Sequence, residues 1–530
     1  MIVILRFFDF FFFVLGKIVA PFYSYYANRP RKPLPALNEP EILTLSATSL
    51  AEKIRTKVLT SEQVVKAFVE RCQQVNGQVN AIFEDRFEEA IKDARNADRF
   101  IQSYEKSVEE LAKEKPLMGV PITFKECLMV KGSSYTSAVP SRKGIKADVD
   151  GDAVAALRNA GAIPIAVTNL PKLSGCLETY NDMIGYTSNP YDPNLTSGGS
   201  SGGEAALISA AGSVIGVGSD YDGSIRIPSH FCGIFGHKPT QGIVSQTGHL
   251  PSSPDDVWQK RNSIGPMCRY AEDLKLTLAI MTGEKNASSL NLYANVNLSE
   301  LKIYYMLDRG FKITEESVDP DIKKAILKAA EHLRSTYKSS VQKIQIAEMD
   351  DTSEMWMAHD ALIEDFDSIT MSMEDPLLDE DDSSVIKELL KFFMNKDRFA
   401  LDRLMAEWYM AVDRPLLTGT KIHLYMLEAK KLTKRLKKLL KEDGVLFYPT
   451  SGCLACYQMQ LFWKGASLDY AAIVNILGFP ATHVPMGLNK NGIPVGFQVI
   501  AAPNQDRLCF AVAEELQKAF GGWKPPPMIS

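Results

Sequence analysis

Residues 153–167 read AVAALRNAGAIPIAV. An alanine-rich run at helical spacing, one glycine and then an unbroken apolar stretch describe a helix that turns into a buried strand. Such a strand needs helices packed over it, which makes the chain α/β. The same texture starts at VPITF (120–124) and returns after residue 443 in DGVLFYPT, ILGFPATHVPMG and GIPVGFQVIA. The C-terminal strands are therefore expected to complete the sheet begun near residue 116, so that residues 43–525 form one domain with ample core.

The surroundings of that domain are read more simply. Ser49-x-x-Glu52 and Thr60-x-x-Gln63 have the form of capping boxes opening amphipathic helices. Residues 84–114 are charged and predicted helical, and residues 300–442 are predicted mostly helical. Within the latter, MEDPLLDEDD (373–382) reads as an acidic loop, followed by an amphipathic helix pair around Phe392 and Phe393. AKKLTKRLKKLLK (429–441) is a basic amphipathic stretch. It reads as a surface helix with its leucines in the core, or as a membrane-binding face.

The N-terminus, MIVILRFFDFFFFVLGKIVAPFYSYY, is apolar but interrupted by Arg6, Asp9 and Lys17. A signal peptide, an interfacial segment and an imperfect single-pass anchor compete here. No small-x-small cleavage site follows, so residues 1–26 are expected to stay as a membrane anchor and 27–42 to form a proline-rich linker. Arg29, Arg31 and Lys32 weakly favour a cytosolic body on an internal membrane. The sequons at Asn194, Asn286 and Asn297 matter only if the body is luminal. A net charge of −5 without a basic stripe argues against a nucleic-acid partner. Eight scattered cysteines argue for free thiols. Cys453 and Cys456 are the one close pair, and without further ligands nearby they read as packing residues, not a metal site.

TSGGSSGGEAA (196–206) is the densest glycine-serine cluster. It lacks the lysine of a phosphate loop. It matches G-x-S-x-G at both Ser200 and Ser201, a weakly specific signal in so repetitive a segment. It also suits a loop whose amides and hydroxyls converge on a reactive group. Ser224 follows in GSDYDGSIRIP (218–228), after a small-residue helix and a strand that would bring both serines to one side. Lys125 closes the strand in GVPITFKE, either snorkelling to the surface or buried as a functional amine.

GVPITFKE, GGSSGGEAALI and GSIRIPSHFCGIFGHKPT, in this order and spacing, resemble the amidase signature family. GPMCRYAEDL (265–274), FGGWKPP and the hydrophobic N-terminus are most similar to its fatty acid amide hydrolase 2 branch. The resemblance runs from about residue 43 to 525. It implies the amidase signature fold, a central mixed β-sheet covered by helices, and a Ser-Ser-Lys triad. Ser224 would be the nucleophile, Ser200 the bridging residue on a cis peptide, and Lys125 the base. The backbone N–H groups of Tyr221, Asp222, Gly223 and Ser224 would form the oxyanion hole. Substrates would be long-chain fatty acid primary amides or N-acyl ethanolamides, with no metal or organic cofactor. KLSGCLETYNDMIGY (172–186), including Ser174 and Cys176, would line the site, and the 392–393 region would cap it. The oligomeric state stays open, a homodimer being one assembly it allows.

The chemistry agrees with these roles. Serine needs a base, and lysine is one only when neutral, which at a reference pKa of about 10.4 holds for about one in two thousand at pH 7. Burial must therefore lower it. Asp220 and Arg226 read as an ion pair holding the turn. His483 with Ser201 would be a rival serine–histidine scheme. Asp222 is the discordant residue, because the related branch has glycine there. A carboxylate about 5 Å from a forming oxyanion repels it by roughly 3 kcal/mol at an effective dielectric near 20, on the order of a hundredfold in rate. A cationic partner or an outward rotamer would relieve this. Without relief, the chain would be a catalytically impaired acyl-amide-binding paralogue.

Overall fold

The computed structural model describes residues 14, 17–18, 30, 32–310, 316–363, 419–461, 464 and 469–529. The predicted acidic loop and the Phe392–Phe393 helix pair lie outside these residues. So does the expected anchor, apart from residues 14, 17 and 18. Among the described residues no helix is long and apolar enough to cross a membrane.

The described strands form a mixed eleven-stranded sheet in the order β1-β3-β2-β4-β6-β5-β10-β11-β9-β7-β8. Next to the β1 edge, β3 (Ile163–Thr168), β2 (Pro121–Lys125) and β4 (Ile215–Asp220) run parallel and are buried throughout. Their continuous apolar runs match that burial on both faces. Antiparallel β6 (Ser263–Cys268) and β5 (Phe235–Lys238) follow. Then come the C-terminal strands expected to complete the sheet, β10 (Ala481–Leu488), β11 (Pro494–Ala501) and β9 (Gly444–Tyr448). Because β2 and β4 are parallel neighbours, their C-terminal residues, Lys125 and Asp220, reach the same sheet edge, where open α/β sheets place their sites.

The helix Gly202–Ser209 is buried along its whole length, as its sequence GGEAALIS permits. It packs against another fully buried helix, Arg226–Cys232. The basic helix Gly419–Leu440 buries Leu432, Leu436 and Leu440, the packing reading of that stretch.

Three expectations are corrected. The region 300–442 also contributes two strands, β7 (Lys302–Tyr305) and β8 (Ser340–Lys343), at one end of the sheet. Residues 84 and 85, expected to begin a helical layer, instead end a strand, β1 (Ile82–Asp85), and helices follow from Phe87. The helix expected to open at Ser49 starts at Ala47, with Ser46 as its cap. There Asp273, from another helix, accepts the Ala47 and Thr48 N–H groups at 2.9 Å each, and the Ser49 N–H that Glu52 was expected to cap donates instead to Ser46 Oγ at 3.1 Å. The Thr60–Gln63 capping box is present as read.

Candidate active site

Lys125 is fully buried at the end of β2. Its Nζ lies 2.6 Å from Ser200 Oγ and 3.0 Å from Ser219 Oγ. Burial lowers its pKa to about 8, opposed by Cys127, Asp220 and Glu204. Glu204 is less of an opponent than its formal charge suggests. Burial raises it to about 8, against the hydroxyls of Thr123 and Thr168 that donate to it. At neutral pH it is therefore mostly protonated, which leaves Asp220 as the ionised carboxylate that opposes the Lys125 shift.

Ser200 follows a cis peptide from Gly199. A Cβ on Gly199 would stand 2.8 Å from the Cys176 carbonyl oxygen, so only glycine lets the 176–178 backbone lie directly on this peptide. Thr179 fastens the two segments, donating to the Gly198 carbonyl at 2.9 Å and accepting from the Gly202 N–H at 3.0 Å. The expected lining residues thus belong to the strap over the serine loop, with Ser174 beside Cys127 and Cys176 over Gly199. Ser201 N–H donates to the Ser224 carbonyl oxygen at 3.1 Å, which joins the two serine segments.

The turn carrying Ser224 is built on Asp220. Its Oδ1 accepts from Gly223 N–H at 2.8 Å, Arg226 Nη2 at 2.9 Å and Asn475 Nδ2 at 2.9 Å. Its Oδ2 accepts from Ile225 N–H at 3.1 Å and Arg226 Nε at 3.1 Å. Burial pushes the Asp220 pKa up, but the Arg226 guanidinium and these donors together hold it well below the usual carboxylate range. The expected Asp220–Arg226 pair is thus present and wholly buried. Gly223 adopts a φ of +117°, and a Cβ there would stand 2.6 Å from that of Ala471, so this position requires glycine.

The four amides expected to meet an oxyanion differ in what they already bond. The Gly223 N–H is spent on Asp220, which leaves the amides of Tyr221, Asp222 and Ser224 without a hydrogen-bond acceptor among the described residues.

Asp222 finds the cationic partner that would relieve its charge. Arg261 Nε donates to its Oδ1 at 2.9 Å, Arg261 Nη2 grips the same oxygen, and Trp356 Nε1 donates to Oδ2 at 2.8 Å. Arg261 also pairs with Asp360, whose Oδ1 accepts from the Tyr221 hydroxyl at 2.9 Å. The guanidinium lies 4.3 Å from the Tyr221 ring centroid. Neither Arg261 nor Ser219 was anticipated. Ser219, one residue before Asp220 in β4, meets Lys125 only through the parallel pairing of β2 with β4, and Arg261 carries no sequence signal.

The rival scheme is not assembled. His483 Nδ1 bonds Thr450 Oγ1 at 2.8 Å, and burial lowers its pKa well below the usual histidine value. Ser201 Oγ donates to the Ser219 carbonyl at 3.3 Å. Cys453 and Cys456 are free thiols packed with Ile227, Phe231 and Leu461.

The family model for amidases matches residues 63–510. Fatty-acid amide hydrolase 2-A of Danio rerio is 37% identical over 97% of this chain and 95% of its own length. Fatty-acid amide hydrolase 2 of Homo sapiens is 34% identical over 94% and 93%. Among solved structures, a fatty acid amide hydrolase aligns with a TM-score of 0.72 at 22% identity, over 96% of this chain and 88% of that one. A 6-aminohexanoate cyclic dimer hydrolase complexed with substrate aligns with a TM-score of 0.73 at 23% identity, over 92% and 99%. At those identities the two structures speak to the fold.

Proposed function

The chain belongs to the amidase signature family and is an amide hydrolase; we propose that it cleaves lipophilic carboxamides, fatty acid primary amides or N-acyl ethanolamides, through an acyl-enzyme on Ser224. The observation that carries this reading is the buried Lys125 amine set against Ser200 with a pKa lowered to about 8.

In this reading neutral Lys125 accepts the Ser200 proton while Ser200 accepts the Ser224 proton, and Ser224 Oγ bonds to the carbonyl carbon. The carbonyl oxygen takes the negative charge and is met by the Tyr221, Asp222 and Ser224 amides. The proton then returns from Lys125 through Ser200 to the departing nitrogen as the C–N bond breaks, since an unprotonated amine leaves poorly. Water attacks the ester, delivering its proton along the same path, and Ser224 recovers its hydrogen as the fatty acid departs. A binding-only role was motivated by the Asp222 charge, and its pairing with Arg261 weakens that motive.

Lipophilic substrates are supported by the relatives' names and by the aromatic N-terminus. An acyl channel adds roughly 0.8 kcal/mol per buried CH₂, so kcat/KM should rise up to about fourfold per methylene across a series of primary amides until the channel is filled. A profile flat with chain length, or a preference for acetamide, would contradict the substrate class. Membrane attachment through residues 1–26 belongs to the same reading. Deleting them should move the chain from the membrane fraction to the supernatant, and retention in the membrane fraction would overturn that part.

A further inference from the structure

We propose that Arg261 is a positioning residue of this enzyme: by gripping the Asp222 carboxylate together with Trp356, it neutralises a charge inside the oxyanion turn and ties that turn to two outer helices. The inference rests on the reading of residues 221–224 as the oxyanion site. Four observations carry it.

First, the grip is built rather than incidental. The Arg261 side chain is 1% exposed and gives Asp222 Oδ1 two N–H donors, while Trp356 takes the other oxygen. Two donors from one planar guanidinium fix direction as well as charge. Second, the cluster reaches two elements outside the turn. Arg261 ends the helix Asp256–Arg261, and Trp356 and Asp360 belong to the helix Thr352–Asp360. Third, the neighbouring turn residue is held by the same cluster. Tyr221 donates its hydroxyl to Asp360, lies under the guanidinium, and packs with Trp258 and Ile363. Two of the three unengaged amides, those of Tyr221 and Asp222, therefore belong to residues whose side chains are fixed by Arg261. Fourth, the charges require it. Without Arg261, the part-buried Asp222 and the buried Asp360 would lose the guanidinium they share, and like charges left unpaired in such a site repel.

A glycine at 222 would need none of this. The aspartate makes the turn dependent on Arg261, 39 residues further along the chain. Arg261 should therefore act on turnover through Asp222, not by touching substrate.

The test compares the full-length wild type with Arg261→Gln, Asp222→Asn and the double variant, reading kcat and KM on one fatty acid primary amide. Arg261→Gln should lower kcat on the order of a hundredfold, the cost of an unpaired carboxylate near the oxyanion, with KM within about threefold. Adding Asp222→Asn should restore most of the loss, because the charge that needed Arg261 is gone. If the single and double variants are equally slow, or if Arg261→Gln is as fast as wild type, the proposal is overturned. Should Arg261→Gln not fold, Arg261→Lys replaces it. Lysine keeps the charge but not the two-donor grip, so a faster Asp222→Asn/Arg261→Lys than Arg261→Lys supports the proposal and equal rates overturn it. A wild type inactive on every amide would instead remove the functional reading on which the inference stands.

Discussion

Lys125→Ala should lower kcat/KM by about 10³ to 10⁴-fold, with KM little changed. The size follows from the state of the amine. At a pKa of about 8, about a tenth of the lysine is neutral at pH 7, against about one in two thousand for an exposed one. The base is thus available at physiological pH without a counter-ion, and no other titratable group touches Ser200 Oγ among the described residues. The sign of the pH dependence follows. Neutral lysine is the working form, so kcat/KM should rise tenfold per pH unit below about 8 and flatten above it. In Lys125→Ala the residual rate should lose that step. A variant within tenfold of wild type, or an unchanged profile, would remove lysine from the chemistry.

The second large effect is on stability. Arg226→Met should destabilise the fold by about 3–5 kcal/mol, because it strands Asp220 as an uncompensated buried charge. Asp220 would keep its backbone donors, the N–H of residue 226 among them, and Asn475, but lose two N–H bonds from the Arg226 side chain, at 3.1 and 2.9 Å. Arg226 Nη1 also reaches Gln498 Oε1 at 2.7 Å, so the sheet loses a tie to β11 as well. Adding Asp220→Asn should recover much of the loss, since the charge disappears while an acceptor stays. Chemical denaturation of the wild type, single and double variants checks this. A double variant no more stable than Arg226→Met would mean that the hydrogen bonds, not the charge, set the cost.

How much of this was legible in the sequence depends on whether a residue's role is local. The buried strands were readable because β2, β3 and β4 are covered on both faces and so run apolar without interruption. Strands β7 and β8 were not. They are four residues each, lie at one end of the sheet, and β8 reads SVQK with most of its positions exposed. Too little apolar pattern remains to separate such segments from helix. Lys125, Ser200 and Ser224 were picked out by long motifs in register, and the structure draws Lys125 and Ser200 together. That a turn precedes Ser224 was also readable. Which of its amides stay available was not, because that depends on where the Asp220 carboxylate folds back. Asp222 shows the limit most clearly. Its charge was visible and its cost could be stated, but its partner could not be found. Arg261 sits in QKRN on a short helix and looks like any surface cation until the fold brings it to the turn.

The central claim is that Ser224 is a nucleophile activated from Lys125. Treating the full-length protein with a fluorophosphonate and mapping the adduct by peptide mass spectrometry tests this most directly. One adduct is expected, on Ser224, forming faster as the pH rises toward 8 and strongly slowed in Lys125→Ala. An adduct on Ser201, or folded protein that takes up no label, would contradict it.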